Sequence, residues 1–267
     1  MTEGSDPRVA LVTGAAHGIG EAVARRFAAD GLHVVVTDID DDAGEEVAAS
    51  LGDAVEYQHL DVRSEKDWED VVGGVVEQYG RLDVVVNNAG VTGFEEGLVP
   101  HDPEHAELAS WRGVHETNLD GTFLGCRAAI RAMRPAGQGA IVNVSSRSGL
   151  SGVPGAAAYA SSKAAIRNHT KSVALYCAEQ GLRIRCNAVF PGAILTRIWE
   201  PMLGDGPDRE DRLRALSADV PVQRMGTPAE VAAAVAYLAS EEAGYTTGSE
   251  LVIDGGLTAG TTARPDR

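Results

Sequence analysis

Tyr159 and Lys163 stand four residues apart in the stretch PGAAAYASSKAAIRNHTKSVAL, Pro154 to Leu175. Alanine, isoleucine, valine and leucine recur there at three- and four-residue spacing, and no glycine or proline follows Gly155, so most of the stretch reads as a helix. Residues i and i+4 share a helix face, which points the phenol and the ammonium the same way. Their neighbours are alanines and serines, too small to cover either group. A phenol of pKa ~10 exchanges protons usefully at neutral pH only when a nearby cation brings it toward the working range. The pair is a candidate acid/base, and such a group needs a reagent to work on.

A second constellation supplies one. VTGAAHGIG, Val12 to Gly20, falls where an apolar strand turns into a helix. Gly14 permits the tight turn, Gly18 lets the backbone approach a pyrophosphate, and Gly20 allows close helix–strand packing. His17 and Ile19 complete the loop, whose helix N-terminal N–H groups face the phosphates of a dinucleotide. The next strand ends at Asp38, where a carboxylate accepts from both hydroxyls of an adenosine ribose. The acids that follow, Asp40 to Asp42, read as a helix N-terminus. Asp61 and Val62 end the third strand near the adenine, and Asn88, Ala89 and Gly90 close the fourth with small residues for the cofactor to lie against.

The elements that must position these groups alternate along the chain. Strands are expected to begin at Val9, His33, Val55, Leu82, Ala140, Arg183 and Glu250, several of them apolar almost throughout, as strands buried on both faces of a parallel sheet are. Helical patterns lie between them, at Ile19–Ala29, Asp41–Leu51, Glu65–Tyr79, Leu108–Arg134, Ala157–Glu179 and Pro228–Ala239. The last opens on Thr227, Pro228 and Glu230, a capping box with proline at N1. Strict alternation predicts an α/β, doubly wound Rossmann-type fold with a seven-stranded parallel sheet and helices on both faces. The 267 residues, 44% hydrophobic, suit one domain over residues 1–267 that is both dinucleotide-binding and catalytic. A substrate lid is expected at about 194–220 and a tail at 257–267. A net charge of −16 works against nucleic acid or anionic membrane as partner. Three cysteines without paired spacing, no long apolar run and no signal-peptide layout predict a cytoplasmic protein.

With those motifs in order, the chain resembles the short-chain dehydrogenase/reductase family over residues 8 to 256. The pieces that carry the likeness are TGAAHGIG, NNAG, Asn118 in NLDGTF, VNVSS, YASSK, PGAILT and DGG. GDAVEYQHLDVRSEKDWEDVV and ELVIDGGLTAG are most similar to the NAD-dependent 3α(20β)-hydroxysteroid and cyclic-alcohol dehydrogenases of bacteria. The resemblance implies that Tyr159 is the general acid/base, and that Lys163 stabilises its phenolate and holds the nicotinamide ribose. It places the catalytic serine thirteen residues before the tyrosine, at Ser146, donating to the substrate oxygen; Ser145 would cap the strand end. It implies that Asn118 serves, through its backbone and a water, the proton relay leading from Lys163. Pro191 and Gly192 would turn the chain under the nicotinamide, with Ile194 and Thr196 reaching its carboxamide. A homotetramer is implied as well, built on the helices Leu108–Arg134 and Ala157–Glu179 and on the strand ELVID with helix Pro228–Ala239.

The substrate expected is a small secondary alcohol or its ketone, cyclic or steroid-like, under an apolar lid containing Ile198, Trp199, Met202 and Leu203. A 3-oxoacyl carrier-protein reductase and a non-catalytic dinucleotide-binding protein are the alternatives; Asp38 and the net acidity speak against the first, the intact Tyr159 and Lys163 against the second. NAD is the expected cofactor. Asp38 would repel the 2′-phosphate of NADP, and neither its neighbours nor His17 offers a fixed cation, so a preference of roughly a hundredfold or more follows. His101 and His105 imitate a metal-ligand spacing, but Pro103 breaks the helix that would align them, and a solvated loop near the substrate mouth is expected instead. The segment Val91 to Arg112 is longer than the resemblance implies.

Overall fold

A computed structural model of the chain describes residues 7–95, 97, 99–199 and 203–260. Seven parallel strands form one sheet in the order β3-β2-β1-β4-β5-β6-β7. They are β1 (Val9–Thr13), β2 (His33–Asp38), β3 (Val55–His59), β4 (Val84–Asn87), β5 (Gln138–Val144), β6 (Arg183–Pro191) and β7 (Glu250–Ile253). The chain leaves β3 and returns beside β1 as β4, so the winding direction reverses between β1 and β4. In such sheets the crevice at the carboxyl ends of those two strands is where ligands bind.

Near-continuous apolar strands serve two cores at once. Ala10 and Val12 face a cluster with Val23, Phe27, Val34, Val86, Val142 and Val235, whereas Val9 and Leu11 face Trp68, Val75, Val85, Met133 and Ile141. Alternation along each strand divides them, since successive side chains point to opposite faces. Helix α1 (Gly18–Ala29) packs with Pro228–Ala239 on the first face. Helices α2 (Asp41–Leu51) and α3 (Glu65–Tyr79) complete the first half of the chain.

The expected helix Leu108–Arg134 is continuous in path but not in type. It runs as α4 (Leu108–His115), a π turn over Glu116–Asp120, and α5 (Gly121–Met133). The extra residue of the π turn changes the direction of the side chains there, and Asn118 lies within it. Helix α6 (Ala157–Glu179) has the expected bounds and buries Ser162, Lys163 and Thr170 among its apolar residues. Helix α7 (Arg209–Ser217) lies in the expected lid, and α8 (Pro228–Ala239) opens with the capping box, Thr227 and Glu230 each closing the other's backbone N–H. Met202 and tail residues 261–267 lie outside the described residues.

Candidate active site

Thr13, the last residue of β1, fastens the crevice. Its buried Oγ1 accepts from the N–H groups of Asn88 and Ala89, both at 3.0 Å, and the Asn88 amide donates to the carbonyls of Thr13 and Gly14 at 2.9 Å. The ends of β1 and β4 are thereby held together, so Asn88 shapes the crevice with its side chain. Gly14 has φ +61°, and a Cβ there would lie 2.7 Å from the Cα of Ala89. A Cβ on Gly20 would fall 2.1 Å from the Gly14 carbonyl. The loop is a cradle that only glycine permits, with the N-terminus of α1 open toward it. Thr196 closes it from above, its methyl 3.3 Å from where a Cβ on Gly18 would stand.

Asp38 ends β2 with its carboxylate pre-oriented. Oδ1 accepts from the N–H groups of Ile39 and Asp40 at 2.8 and 3.1 Å, and Oδ2 accepts from Ala16 N–H at 3.0 Å. Acceptor capacity remains on Oδ2 for a sugar hydroxyl. The chain neighbours of Asp38 and His17 supply no cation, but a distant residue brings one to this corner. Arg197 comes from the far side of the crevice to place Nη1 within 2.6 Å of His17 Nε2, which itself lies 2.9 Å from Asp40 Oδ2. A separation of 180 residues hid this contact from the sequence. The Asp61 carboxylate is closed by Arg63, which bridges both oxygens and holds the acid below its usual range. Val62 is buried and packs against the Cα of Gly121. Pro191 ends β6, Gly192 sits against Asp254, and Ile194 is buried and bridges to Gly226.

The candidate acid/base pair, Tyr159 and Lys163, lies on α6. Ser146 follows β5 and caps a short 3-10 turn, accepting from Ser148 N–H at 3.1 Å. It also faces the half-buried phenol of Tyr159 closely enough to pull it down. Below the phenol, Lys163 is 4% exposed, its Nζ 3.0 Å from the carbonyl of Val144 and 5.7 Å from the centre of the tyrosine ring. The small neighbours therefore do not leave the ammonium bare: α6 turns it into the protein. Ser145 does not simply finish the strand; its Oγ donates to the Lys163 carbonyl at 2.8 Å and pins α6 to β5. Gly90 leaves the space that Lys163 and Asn118 fill, since a Cβ there would meet Nζ at 3.1 Å and Oδ1 at 3.0 Å.

Asn118 works through its side chain more than was expected. Oδ1 accepts from Val91 N–H at 2.8 Å, and Nδ2 donates to the Val91 carbonyl at 2.9 Å and to Ser162 Oγ at 3.0 Å. Its own carbonyl accepts from Thr122 Oγ1 at 2.7 Å. Asn118 thus ties the start of the Val91–Arg112 segment to α6. The solvated-loop expectation is corrected for His101: the ring is 3% exposed, its Nε2 lies 2.8 Å from the Gly93 carbonyl, and Phe94 stacks edge-on against it. Its backbone carbonyl accepts from Ala157 N–H, seating the segment on the start of α6. His105 is exposed, and among the described residues no cluster of metal ligands exists. Glu95 and Arg147, which sequence reasoning passed over, both act on the Tyr159 phenol.

The family model that matches residues 14–258 is described as enoyl-(acyl carrier protein) reductase. A 3-alpha-(or 20-beta)-hydroxysteroid dehydrogenase of Mycobacterium tuberculosis (strain ATCC 25618 / H37Rv) is 40% identical over 255 residues, covering 95% of this chain and 90% of that one. A cyclopentanol dehydrogenase of Comamonas sp. (strain NCIMB 9872) is 40% identical over 255 residues, covering 94% and 97%. The chain belongs to the short-chain dehydrogenase/reductase family. A solved structure titled ElxO with NADP bound superposes with a TM-score of 0.86 at 32% identity, covering 95% of this chain and all of that one. Members of the family bind a nicotinamide dinucleotide, and the glycine cradle between β1 and β4 fits one.

In this short-chain dehydrogenase/reductase the electrostatics of the pair differ from the expectation. The Tyr159 phenol is raised, chiefly by burial, against which Ser146 and the Arg147 charge pull down while Glu95 pushes up. Lys163 is itself lowered to about 8 by burial. Unfolded, the lysine keeps its proton to about pH 10.5. Between those values the unfolded state binds more protons, so this group makes stability rise with pH, and below pH 8 the full penalty of burying the charge remains. The penalty is on the order of 3 kcal/mol. Lys163→Met, without cofactor, is therefore expected to be at least as stable as the wild type at pH 7. The difference between the two should shrink as pH rises from 8 to 10.5. Thermal unfolding of both proteins across that range reads it, and a wild type that exceeds the variant by several kcal/mol at pH 7 would contradict it.

Proposed function

We propose that the protein is an NAD(H)-dependent oxidoreductase that interconverts a secondary alcohol, cyclic or steroid-like, and its ketone. The observation that carries this reading is the Tyr159 phenol, under the influence of Ser146 and 5.7 Å from the ammonium of the buried Lys163, in the same molecule as the glycine cradle. The dinucleotide supplies the hydride acceptor in oxidation and the donor in reduction. Tyr159 takes the carbinol proton in one direction and returns it in the other. Ser146 donates to the substrate oxygen as negative charge develops there, which lowers the barrier only if the donor is fixed beforehand. While Lys163 keeps its proton, its ammonium favours the phenolate form of Tyr159. The steroid and cyclopentanol dehydrogenases at 40% identity support the substrate class over a carrier-protein reductase, as does the net charge of −16, which disfavours an acidic carrier.

The whole chain forms one catalytic unit in this reading, with the segment after Ile194 as its lid. Leu203 there is buried and Trp199 half-buried, which gives the lid an apolar side. A reducing, cytoplasmic setting suits three free, buried cysteines, and among the described residues no helix is long and apolar enough to cross a membrane. Phe123, Leu175 and Tyr176 stand exposed on α5 and α6, and Tyr237, Tyr245 and Val252 on or beside α8 and β7. Two such apolar faces support a homotetramer with two kinds of two-fold contact. Sedimentation at micromolar concentration should find four chains, and a monomer would refute the assembly.

Tyr159→Phe should bind the dinucleotide nearly as well as the wild type and lose turnover by two or more orders of magnitude, on the order that general acid–base catalysis contributes. Oxidation requires the deprotonated phenol, so burial, by raising its pKa, moves the rising limb of kcat/KM to alkaline pH, while reduction falls over the same range. Steady-state rates with cyclic alcohols and ketones, read across pH, test both; near-native turnover by Tyr159→Phe would sink the mechanism.

For the cofactor, two charges compete at one corner. Asp38 repels a 2′-phosphate, and the Arg197 guanidinium beside His17 offsets part of that repulsion. NAD should be preferred by roughly tenfold or more in kcat/KM, less than the hundredfold that Asp38 alone would give. Arg197→Ala should sharpen the preference for NAD, and Asp38→Ala should narrow it. Equal kcat/KM for the two cofactors in the wild type would show that Asp38 does not discriminate.

A further inference from the structure

Among the described residues, Arg147 is the one cation at the crevice with no bond from its charged group. It follows Ser146 directly and opens the 3-10 turn that Ser146 caps. Gly149, the last residue of that turn, packs against the backbone of Lys163, where a Cβ would fall 2.8 Å from the carbonyl carbon, so the turn is locked onto α6. Of the arginines among the described residues, only Arg112, Arg131 and Arg147 have no hydrogen bond or ion pair from the guanidinium. Arg112 and Arg131 are exposed to water; Arg147 is half-buried. A guanidinium that has lost part of its hydration without gaining a partner carries an uncompensated cost.

The acid that faces the same phenol does not relieve it. Glu95 is closed by its own loop, accepting from Thr92 N–H at 2.6 Å, Thr92 Oγ1 at 2.9 Å and Gly93 N–H at 2.8 Å. Arg147 thus keeps its donors unspent beside Ser146, which it follows in the chain, and its charge reaches the Tyr159 phenol. A guanidinium in that state matches a carboxylate or another oxyanion, which it binds through paired hydrogen bonds.

We propose that Arg147 recognises an oxyanion substituent, such as a carboxylate, on the same substrate whose carbinol or carbonyl oxygen meets Ser146 and Tyr159. This rests on the alcohol–ketone reading above and narrows it: the preferred substrate is a hydroxy or oxo acid on a ring, not a wholly neutral alcohol. It also accounts for a basic residue at the mouth of a site in a chain with 39 acidic and 23 basic side chains.

The test uses a cyclohexanone bearing a ring carboxylate and its methyl ester as paired substrates. The wild type should have the lower KM for the carboxylate. Arg147→Met should raise the KM of the carboxylate relative to that of the ester by roughly 10- to 100-fold, and Arg147→Lys should restore part of it. Any change in kcat common to both substrates reports the charge of Arg147 on Tyr159 and cancels in the ratio. Parallel changes of both KM values, or an ester preferred by the wild type, would overturn the proposal while leaving the alcohol–ketone reading intact. Calorimetry with cyclohexanecarboxylate, which has no carbinol to react, separates the two further. Binding to the wild type and its loss in Arg147→Met support the anion site even if neither ketone is turned over. Equal binding to both proteins, or none to the wild type, removes it.

Discussion

An ammonium ion buried against a single backbone carbonyl sets the character of this site. Lys163 makes one hydrogen bond, to Val144, and burial has lowered it to about 8. That carbonyl ends β5, the strand that leads into Ser145 and Ser146, so the charge and the serine are referred to the same piece of backbone. The backbone around it is fixed from several sides: Ser145 pins the lysine's own carbonyl, Gly149 abuts its backbone, and Gly90 leaves room for Nζ. A charge held in this way keeps its electrostatic force, since little water is near to screen it.

The other half of the site obeys the same economy of backbone. Thr13 and Asn88 join the carboxyl ends of β1 and β4, and the glycines of the loop let that junction stay open on the side of α1. Asp38 is aimed by three N–H groups, which would spare the cost of ordering it if it binds the ribose as proposed. Preorganisation on both sides of the crevice is what the proposed hydride transfer needs, because the reacting atoms must meet without the protein rearranging.

Much of this was legible in the sequence because it is local. Tyr159 and Lys163 declare themselves by a four-residue spacing, Thr227 and Glu230 by a cap, and the strands by apolar runs that only a sheet covered on both faces can use. The family likeness added Ser146 and Asn118, which have no local signature strong enough to stand alone. What stayed hidden depends on tertiary placement. The π turn at Glu116–Asp120 leaves the helical pattern of Leu108–Arg134 undisturbed on paper, yet it turns Asn118 toward Val91. His101 looked like a loop residue beside Pro103, and its burial comes from Phe94 and from the start of α6. Arg197 reaches His17 from the other end of the chain. At Tyr159 the spacing shows a neighbouring charge, and only the fold shows how much water has been removed from the phenol, which raises it.

The chain has three lysines, Lys66, Lys163 and Lys171, so a carbon-13 spectrum labelled at the lysine side chains contains three resonances that single substitutions assign. Titrating it is the most direct test of the buried ammonium on which the account depends. Lys66, beside Asp70 on the surface of α3, should hold its proton beyond the usual lysine range. The Lys163 resonance, the one missing from Lys163→Met, should titrate near pH 8 in the protein without cofactor. A Lys163 that keeps its proton to about pH 10.5, as a solvated lysine does, would contradict the account.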